Sequence, residues 1–329
     1  MANAESEDCG RGYKMPDGKP GTLPRIWRAI RQLNPARAVR ESEQPFTLAL
    51  VGTSEEEVAA MRELLLGGAP SQREAARAGK VLEVYLQPLD EMERRRIRKA
   101  SFILAAEGAE VGFERPGGPG VFTFEPGKPE LALSSIVGSR RGAELRMSLA
   151  RCLPAFRPEV TRRVVREVSR ENALFVIATA LGNVVPSVFQ PLIGAAEAAG
   201  DIVFLTANQV RMVFVIGAVY DAGVGYLAQW REIASIVGAA FGWRALARNL
   251  VSKIPFGGGL APKGAVAYAG TAVIGEGLIF FYTTGRRMTR EELKEAFKRS
   301  YSEAVEAVRS LVGRFRSEAP GSGSGSSPT

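Results

Sequence analysis

A stretch of 24 residues without a charged side chain, residues 173–196, most constrains how this chain can fold. As a helix it would be long enough to cross a hydrocarbon core of about 30 Å. Exposing its apolar surface to water would cost free energy, so the helix must be surrounded by lipid or protein. Pro186 and Pro191, together with Asn183 and Gln190, predict a kink or break near the middle, as in a re-entrant segment or two shorter buried helices.

A second apolar stretch, residues 264–284, is interrupted only by Glu276. Between the two stretches lie residues 202–220, interrupted by Arg211, and residues 233–243, which are too few to span a bilayer. Arginines border both long stretches, and the positive-inside rule places both borders in the cytoplasm, as in a hairpin of two spans. The bordering residues are Arg162, Arg163, Arg166 and Arg170 before the first stretch, and Arg286 and Arg287 after the second.

A soluble bundle whose central helices are buried on all sides is the competing interpretation. Five charged residues fall inside the apolar region, where an unpaired charge at bilayer depth costs at least about 2.5 kcal/mol. They are Asp201, Arg211, Asp221, Arg231 and Glu232. Such charges favour loops, interfaces or a protein interior. The sequence therefore predicts an apolar multi-helix domain over residues 151–317 that is either membrane-associated or self-contained.

Residues 45–150 have a different pattern, in which short β-rich runs alternate with helical segments. The candidate strands are residues 46–51, 81–86 and 101–105, with one or two more at 121–124 and 130–136. Strands that alternate with helices predict a mostly parallel sheet, but their order does not follow from the pattern. The predicted fold class is a small α/β domain, a degenerate GTPase-like fold, followed by an all-α domain.

The first strand leads to a turn at which a phosphate-binding loop would lie. Ser54, with Glu57 three residues later, predicts a capping box that begins a helix running to Leu66. Phosphate binding would require further glycines, a lysine and a hydroxyl at set spacing. Gly52, Thr53 and Ser54 are instead followed by three glutamates, which would repel a polyphosphate. We therefore predict a degenerate loop that binds no nucleotide.

Histidine is absent from the sequence, which removes the commonest general base and the commonest ligand for zinc, iron and copper. We predict no metal, no cofactor and no catalytic residue. Cys9 and Cys152 lie in unlike contexts, so we expect no disulfide between them. The net charge of +8 is clustered in arginines, which indicates an anionic partner. Because the clusters lack interleaved aromatic residues, they favour lipid over nucleic acid.

The two ends have the composition of disordered segments, at residues 1–21 and at the Gly/Ser-rich residues 318–329. Residues 22–44 predict a basic amphipathic helix and a linker, in which Ile26, Trp27 and Ile30 recur at helical spacing beside arginines. Such a helix either docks on the following domain or anchors between headgroups and acyl chains, where tryptophan and arginine are favoured.

Motifs in the helical half occur in an order that resembles domain-of-unknown-function family 697, the helical domain of YcjF-like proteins. They comprise Asn208, Gln209 and Arg211 within residues 207–213, Tyr220, residues 242–248, Pro255 within 254–258, and Thr271 within 269–275. The resemblance covers about half the chain, from roughly Pro158 to Arg299. It implies membrane association and a GTPase, either as a preceding domain or as a separate partner, and it supplies no catalytic residues.

Together these features predict a non-catalytic, membrane-associated interaction or regulatory protein that works with a GTPase. We expect it at the cytoplasmic membrane with both termini in the cytoplasm. A divergent GTP hydrolase and a soluble helical scaffold in the cytoplasm are the alternatives. The sequence pattern does not indicate an oligomeric state.

Overall fold

The computed structural model describes residues 22–112, 120–180, 201–238 and 260–318. An N-terminal four-stranded parallel α/β sheet precedes a mostly helical region, so the predicted fold class is confirmed. The elements of the first half are α1 (Thr22–Arg31), α2 (Pro35–Ser42), β1 (Leu48–Gly52), α3 (Glu55–Leu66), α4 (Gln72–Ala78), β2 (Leu82–Leu86), α5 (Glu91–Ile97), β3 (Phe102–Ala106) and β4 (Gly120–Phe124).

The four strands are ordered β2-β1-β3-β4, and each predicted strand before residue 125 is confirmed to within two residues. The central strands β1 and β3 are buried along their whole length, because protein covers both faces of the sheet. Leu48 and Leu50 face a large core shared with the helical half, while Ala49 and Val51 face a smaller core beside α5. The edge strands β2 and β4 are partly exposed.

The prediction of a strand at residues 130–136 is wrong, since this segment lies in helix α6 (Pro129–Gly138). Pro129 occupies the first turn, where its missing N–H leaves no hydrogen bond unmade. Ala132 and Ile136 are buried, but Ser134, which would share their face in a strand, is exposed, so the burial follows the spacing of a helix.

Helices continue through the described part of the second half. They are α7 (Arg140–Cys152), a 3₁₀ turn (Pro154–Phe156), α8 (Arg157–Ala180), α9 (Asp201–Val219), a helical segment at residues 230–238, α10 (Leu260–Thr284) and α11 (Arg290–Glu318). Ile177, near the end of α8, and Val308 of α11 both pack beside Gly264, near the start of α10. Helices α8 and α11 therefore run antiparallel to α10.

One continuous hydrophobic core joins the two halves, from Ile26 and Ile30 of α1 through Leu50 of β1 to Val213 of α9. Helix α1 packs on α9 and buries its apolar face there, so it docks on the helical half and not, as the docked alternative had it, on the domain that directly follows it. Trp27, on another face of α1, remains 42% exposed.

Two helical windows are long and apolar enough to cross a membrane, Ile202–Val219 in α9 and Lys263–Thr284 in α10. Protein already buries 78% of the first window and 56% of the second, as in the core helices of a soluble protein. This is weak evidence for membrane association. The predicted span at residues 173–196 is described only up to Ala180, and its predicted kink lies outside the described residues.

Candidate functional site

The turn between β1 and α3 is filled by the chain's own carboxylate. The backbone N–H and the hydroxyl of Thr53 each donate to Glu57 Oε2 at 2.8 Å, while Ser54 Oγ accepts from the Glu57 N–H at 3.3 Å. The predicted cap is therefore correct in Ser54, whereas Glu57 reaches back to Thr53 instead of to the Ser54 N–H. The Thr53 N–H bond is the main cause that lowers the pKa of Glu57.

Gly52 serves packing at this turn. A Cβ at this position would come within 2.7 Å of Val58 Cγ2, so the glycine lets the strand end close against α3. The residues that directly follow the four strands are Thr53, Gln87, Glu107 and Glu125. Ligands of parallel α/β sheets bind at this carboxyl edge, and two of the four residues here are glutamates. Within the described ranges, no group of three or more Asp, Glu or Cys side chains is placed to hold a metal ion.

A buried polar network joins α8, α9 and α10, and it gathers three of the residues picked out by the family resemblance. Thr271 Oγ1 accepts from Asn172 Nδ2 at 2.8 Å and from Gln209 Nε2 at 3.2 Å, and it donates to the Ala267 carbonyl at 2.9 Å. Asn208 Nδ2 donates to Asn172 Oδ1 at 2.9 Å. Asn172, which the sequence reasoning missed, connects the other members and fixes the register of the three helices.

An ion pair continues this network toward the surface. Glu171 Oε2 accepts from Asn208 Nδ2 at 3.0 Å and from Arg211 Nη2 at 2.5 Å. Arg211 also lines a polar cavity of about 370 Å³ between α2, α7, α8 and α9, in which Arg146 and Glu167 form a second, bidentate pair. These cations are neutralised by neighbouring carboxylates, so the cavity lacks the excess positive charge that an anion site needs.

Asp221, just after α9, ties the helical half to the sheet half. It accepts from Arg77 of α4, and from Arg151 Nη2 of α7 at 3.0 Å, while Arg151 also pairs with Glu43 at 2.7 Å. Burial raises the pKa of Asp221, but the hydrogen bonds from both arginines outweigh this effect and lower it. This charged junction is a structural contact between the halves.

Tyr220 lies at the same junction. Its ring stacks on Tyr282 with centroids 5.7 Å apart, its hydroxyl is 3.2 Å from Thr283 Oγ1, and the Arg157 guanidinium lies 5.4 Å from the ring centroid. It therefore brings together the start of α8, the end of α9 and the end of α10. Pro255, the remaining motif residue, lies outside the described residues.

The predicted bordering arginines have different surroundings. Arg162, Arg166 and Arg170 are exposed on α8, and Arg163 Nη1 donates to the Val137 carbonyl at 3.3 Å. Arg286 forms a bidentate pair with Glu292, at 2.8 and 3.0 Å, and lies 4.3 Å from the Phe280 ring centroid. Arg287 instead lines an apolar groove.

The loop after α9 presents large apolar side chains to solvent from a fixed base. Tyr226 Oη lies 2.8 Å from the Ile30 carbonyl oxygen and 2.5 Å from that of Leu33, so its one proton is shared between these two acceptors. Gln229 Nε2 donates to Tyr282 Oη at 2.8 Å. Leu227 and Trp230, one residue after each of these two anchors, are 90% and 58% exposed. We call Leu227, Trp230 and Arg231 the tryptophan surface. Through Tyr226 this segment contacts the end of α1, a helix on which Arg25, Trp27, Arg28 and Arg31 are exposed.

Trp27 was predicted from the sequence as a membrane or partner contact, whereas Arg231 was named only as a charge that favours a loop, an interface or the protein interior. Leu227 was missed because a single leucine in a short loop has no periodic signal. The tryptophan surface places exposed apolar side chains beside a guanidinium group, a combination that suits the boundary between headgroups and acyl chains.

Comparison with protein families, with curated proteins and with solved structures gives no match to this chain.

Proposed function

We propose that this chain is a non-catalytic interaction protein that binds the surface of an anionic membrane through the tryptophan surface. The observation that carries the proposal is the exposure of Leu227, in the loop after α9, and of Trp230, at the start of the next helical segment, where the neighbouring side chains of Tyr226 and Gln229 hold the backbone in place. Burying a large apolar side chain contributes about 1.5–3 kcal/mol. Each arginine near an anionic leaflet adds about 1 kcal/mol. Together these contributions suit reversible binding at the membrane surface.

Surface binding is favoured over crossing because of what packs on the apolar helices. Helix α11 runs along α10, and its outer face carries exposed charged residues, including Lys298, Glu303 and Glu306. If α10 crossed the bilayer in this packing, those charges would enter hydrocarbon at a cost of at least about 2.5 kcal/mol for a central acidic or basic residue. A two-span hairpin would therefore require α11 to leave α10. The proposed location is the cytoplasmic face of the membrane.

A non-catalytic role is supported by the contact of Glu57 with Thr53, since the helix end that would receive a phosphate already holds a carboxylate. Involvement of a GTPase rests on the resemblance of the motif residues alone and stays a prediction. A divergent GTP hydrolase is the alternative. Calorimetric titration of the full chain with GTP and Mg²⁺ tests it, and we expect no heat of binding.

Vesicle sedimentation tests the membrane proposal. We expect the full chain to pellet with vesicles containing half phosphatidylglycerol and to stay in solution with pure phosphatidylcholine. The double variant Leu227→Gln/Trp230→Gln should bind at least about tenfold more weakly, the effect of losing about 1.4 kcal/mol. Leu131→Gln is the matched control, because Leu131 is 50% exposed on α6 of the sheet half. Equal binding by the double variant and the control would refute the proposal.

Alkaline extraction of cell membranes separates the two modes of association. A protein held at the surface by the tryptophan surface is released into the supernatant at high pH. A protein that crosses the bilayer stays in the pellet. Retention of the wild-type chain and of the Leu227→Gln/Trp230→Gln variant alike would favour the hairpin of two spans.

A further inference from the structure

An apolar groove opens beside Trp230, between the helical segment at residues 230–238, α10 and the turn into α11. Its volume of about 500 Å³ lies in the range of small-molecule sites, roughly 300–1,000 Å³. Its apolar walls are formed by Ile236, Val273, Ile274, Leu278, Phe281 and Leu293. A groove of this composition fits a hydrocarbon chain better than a polar metabolite.

Two arginines also line the groove, and neither is neutralised by an ion pair with any described residue. Arg231 lies 5.6 Å from the Trp230 ring centroid, and Arg287 follows Arg286, which is already paired with Glu292. Glu232 contributes one negative charge to the lining, so the two arginines leave a net charge of +1. This charge matches a single anionic group, such as a phosphodiester.

Gly277 lines the groove on the side of α10 and leaves space there. A Cβ built there has no atom within 4 Å, so a larger side chain at this position would project into free space. Gly270 lies two turns earlier on the same helix, is equally free of neighbours around a Cβ, and does not line the groove. The two glycines therefore provide a blocking variant and its matched control.

We propose that this groove binds one acyl chain of an anionic phospholipid, with the phosphodiester at Arg231 and Arg287. The inference rests on the proposed membrane function and names the ligand of the same face of the molecule. Trp230 and Leu227 would rest in the headgroup region while a single chain leaves the leaflet and enters the groove. Charge complementarity favours phosphatidylglycerol over phosphatidylcholine, because the trimethylammonium of choline would repel the arginines.

Binding of soluble lysolipids to the full chain tests this assignment by calorimetry below the micelle concentration. We expect a one-to-one complex with lysophosphatidylglycerol, at least tenfold weaker binding of lysophosphatidylcholine, and no binding of glycerol phosphate, which lacks the chain. Gly277→Leu should weaken lysophosphatidylglycerol binding at least tenfold, whereas Gly270→Leu should leave it unchanged. Arg287→Gln should remove the preference for the anionic headgroup, and Arg62→Gln on α3, which is exposed in the sheet half, should not.

The outcomes distinguish failure of the groove proposal from failure of the proposed membrane function. If Gly277→Leu, with an unchanged circular dichroism spectrum, binds lysophosphatidylglycerol as tightly as Gly270→Leu does, or if the wild type binds none, the groove assignment is overturned. Glycerol phosphate binding as tight as that of the lysolipid would overturn it as well. Vesicle sedimentation reports on the proposed function independently, since Gly277→Leu leaves Leu227 and Trp230 in place and should still pellet.

Discussion

Replacing Thr271 by valine should destabilise the helical half without changing its packed volume. The hydroxyl of Thr271 accepts hydrogen bonds from Asn172 and Gln209, which are 0% and 7% exposed. A buried donor left without its acceptor costs about 1–3 kcal/mol, so the two together cost about 2–6 kcal/mol. We expect about 2–4 kcal/mol, in the lower half of that range, because Gln209 keeps a little contact with solvent.

Thr206→Val is the matched control for this substitution. Thr206 is 1% exposed in α9, and its hydroxyl donates at 2.6 Å to the Ile202 carbonyl of its own helix. Removing this hydroxyl therefore leaves no hydrogen-bond donor on another helix without its acceptor. Urea denaturation followed by circular dichroism should show a lower midpoint for Thr271→Val at an unchanged slope, and a much smaller shift for Thr206→Val. Equal shifts for the two variants would refute the reasoning that the cross-helix network stabilises the bundle.

Two further variants probe other contacts by urea denaturation. Gly142→Ala should be strongly destabilising, because its Cβ would come within 1.7 Å of the Ile136 carbonyl oxygen, whereas at Gly138 a Cβ meets no atom within 4 Å and alanine should be tolerated. For Glu74, burial raises the pKa, but hydrogen bonds from Ser71 and Arg157 and the charge of Arg157 lower it from 4.5 to about 2. Because the folded pKa is the lower one, the stabilisation is complete above about pH 4.5 and is lost as the pH falls toward about 2, so the advantage of wild type over Glu74→Gln should shrink in that window.

The central strands could be predicted because each is a continuous apolar run. Residues 46–51 and 101–105 have the composition of strands buried on both faces, and β1 and β3 are such strands. Residues 130–136 contain four apolar side chains among seven. So short a segment fits the helical and the extended spacing about equally, and Pro129 in the first turn favours the helix. The strand order depends on contacts between segments distant in sequence, which periodicity within one segment does not encode.

Three members of the buried network were singled out from the sequence, but Asn172 and the connections between them were not. Asn208, Gln209 and Thr271 stood out through the family resemblance, yet nothing local relates Thr271 to Asn172, which lies 99 residues earlier. Asn172 precedes the uncharged stretch by one position, where an asparagine looks like a boundary residue. Its inward direction follows only from the way α8 packs against α9 and α10.

The charged residues within the apolar half differ in what they contact. Arg211 pairs with Glu171 beside the buried network, and Asp221 pairs with arginines of the sheet half, so both serve contacts inside the protein. Arg231 instead lies against Trp230 at the surface, without an ion pair among the described residues. Most of the apolar surface of α9 is buried by packing within the molecule, whereas Leu227 and Trp230 remain exposed. Substitution of these two side chains, which leaves the bundle intact, therefore tests membrane binding more directly than removal of an apolar helix would.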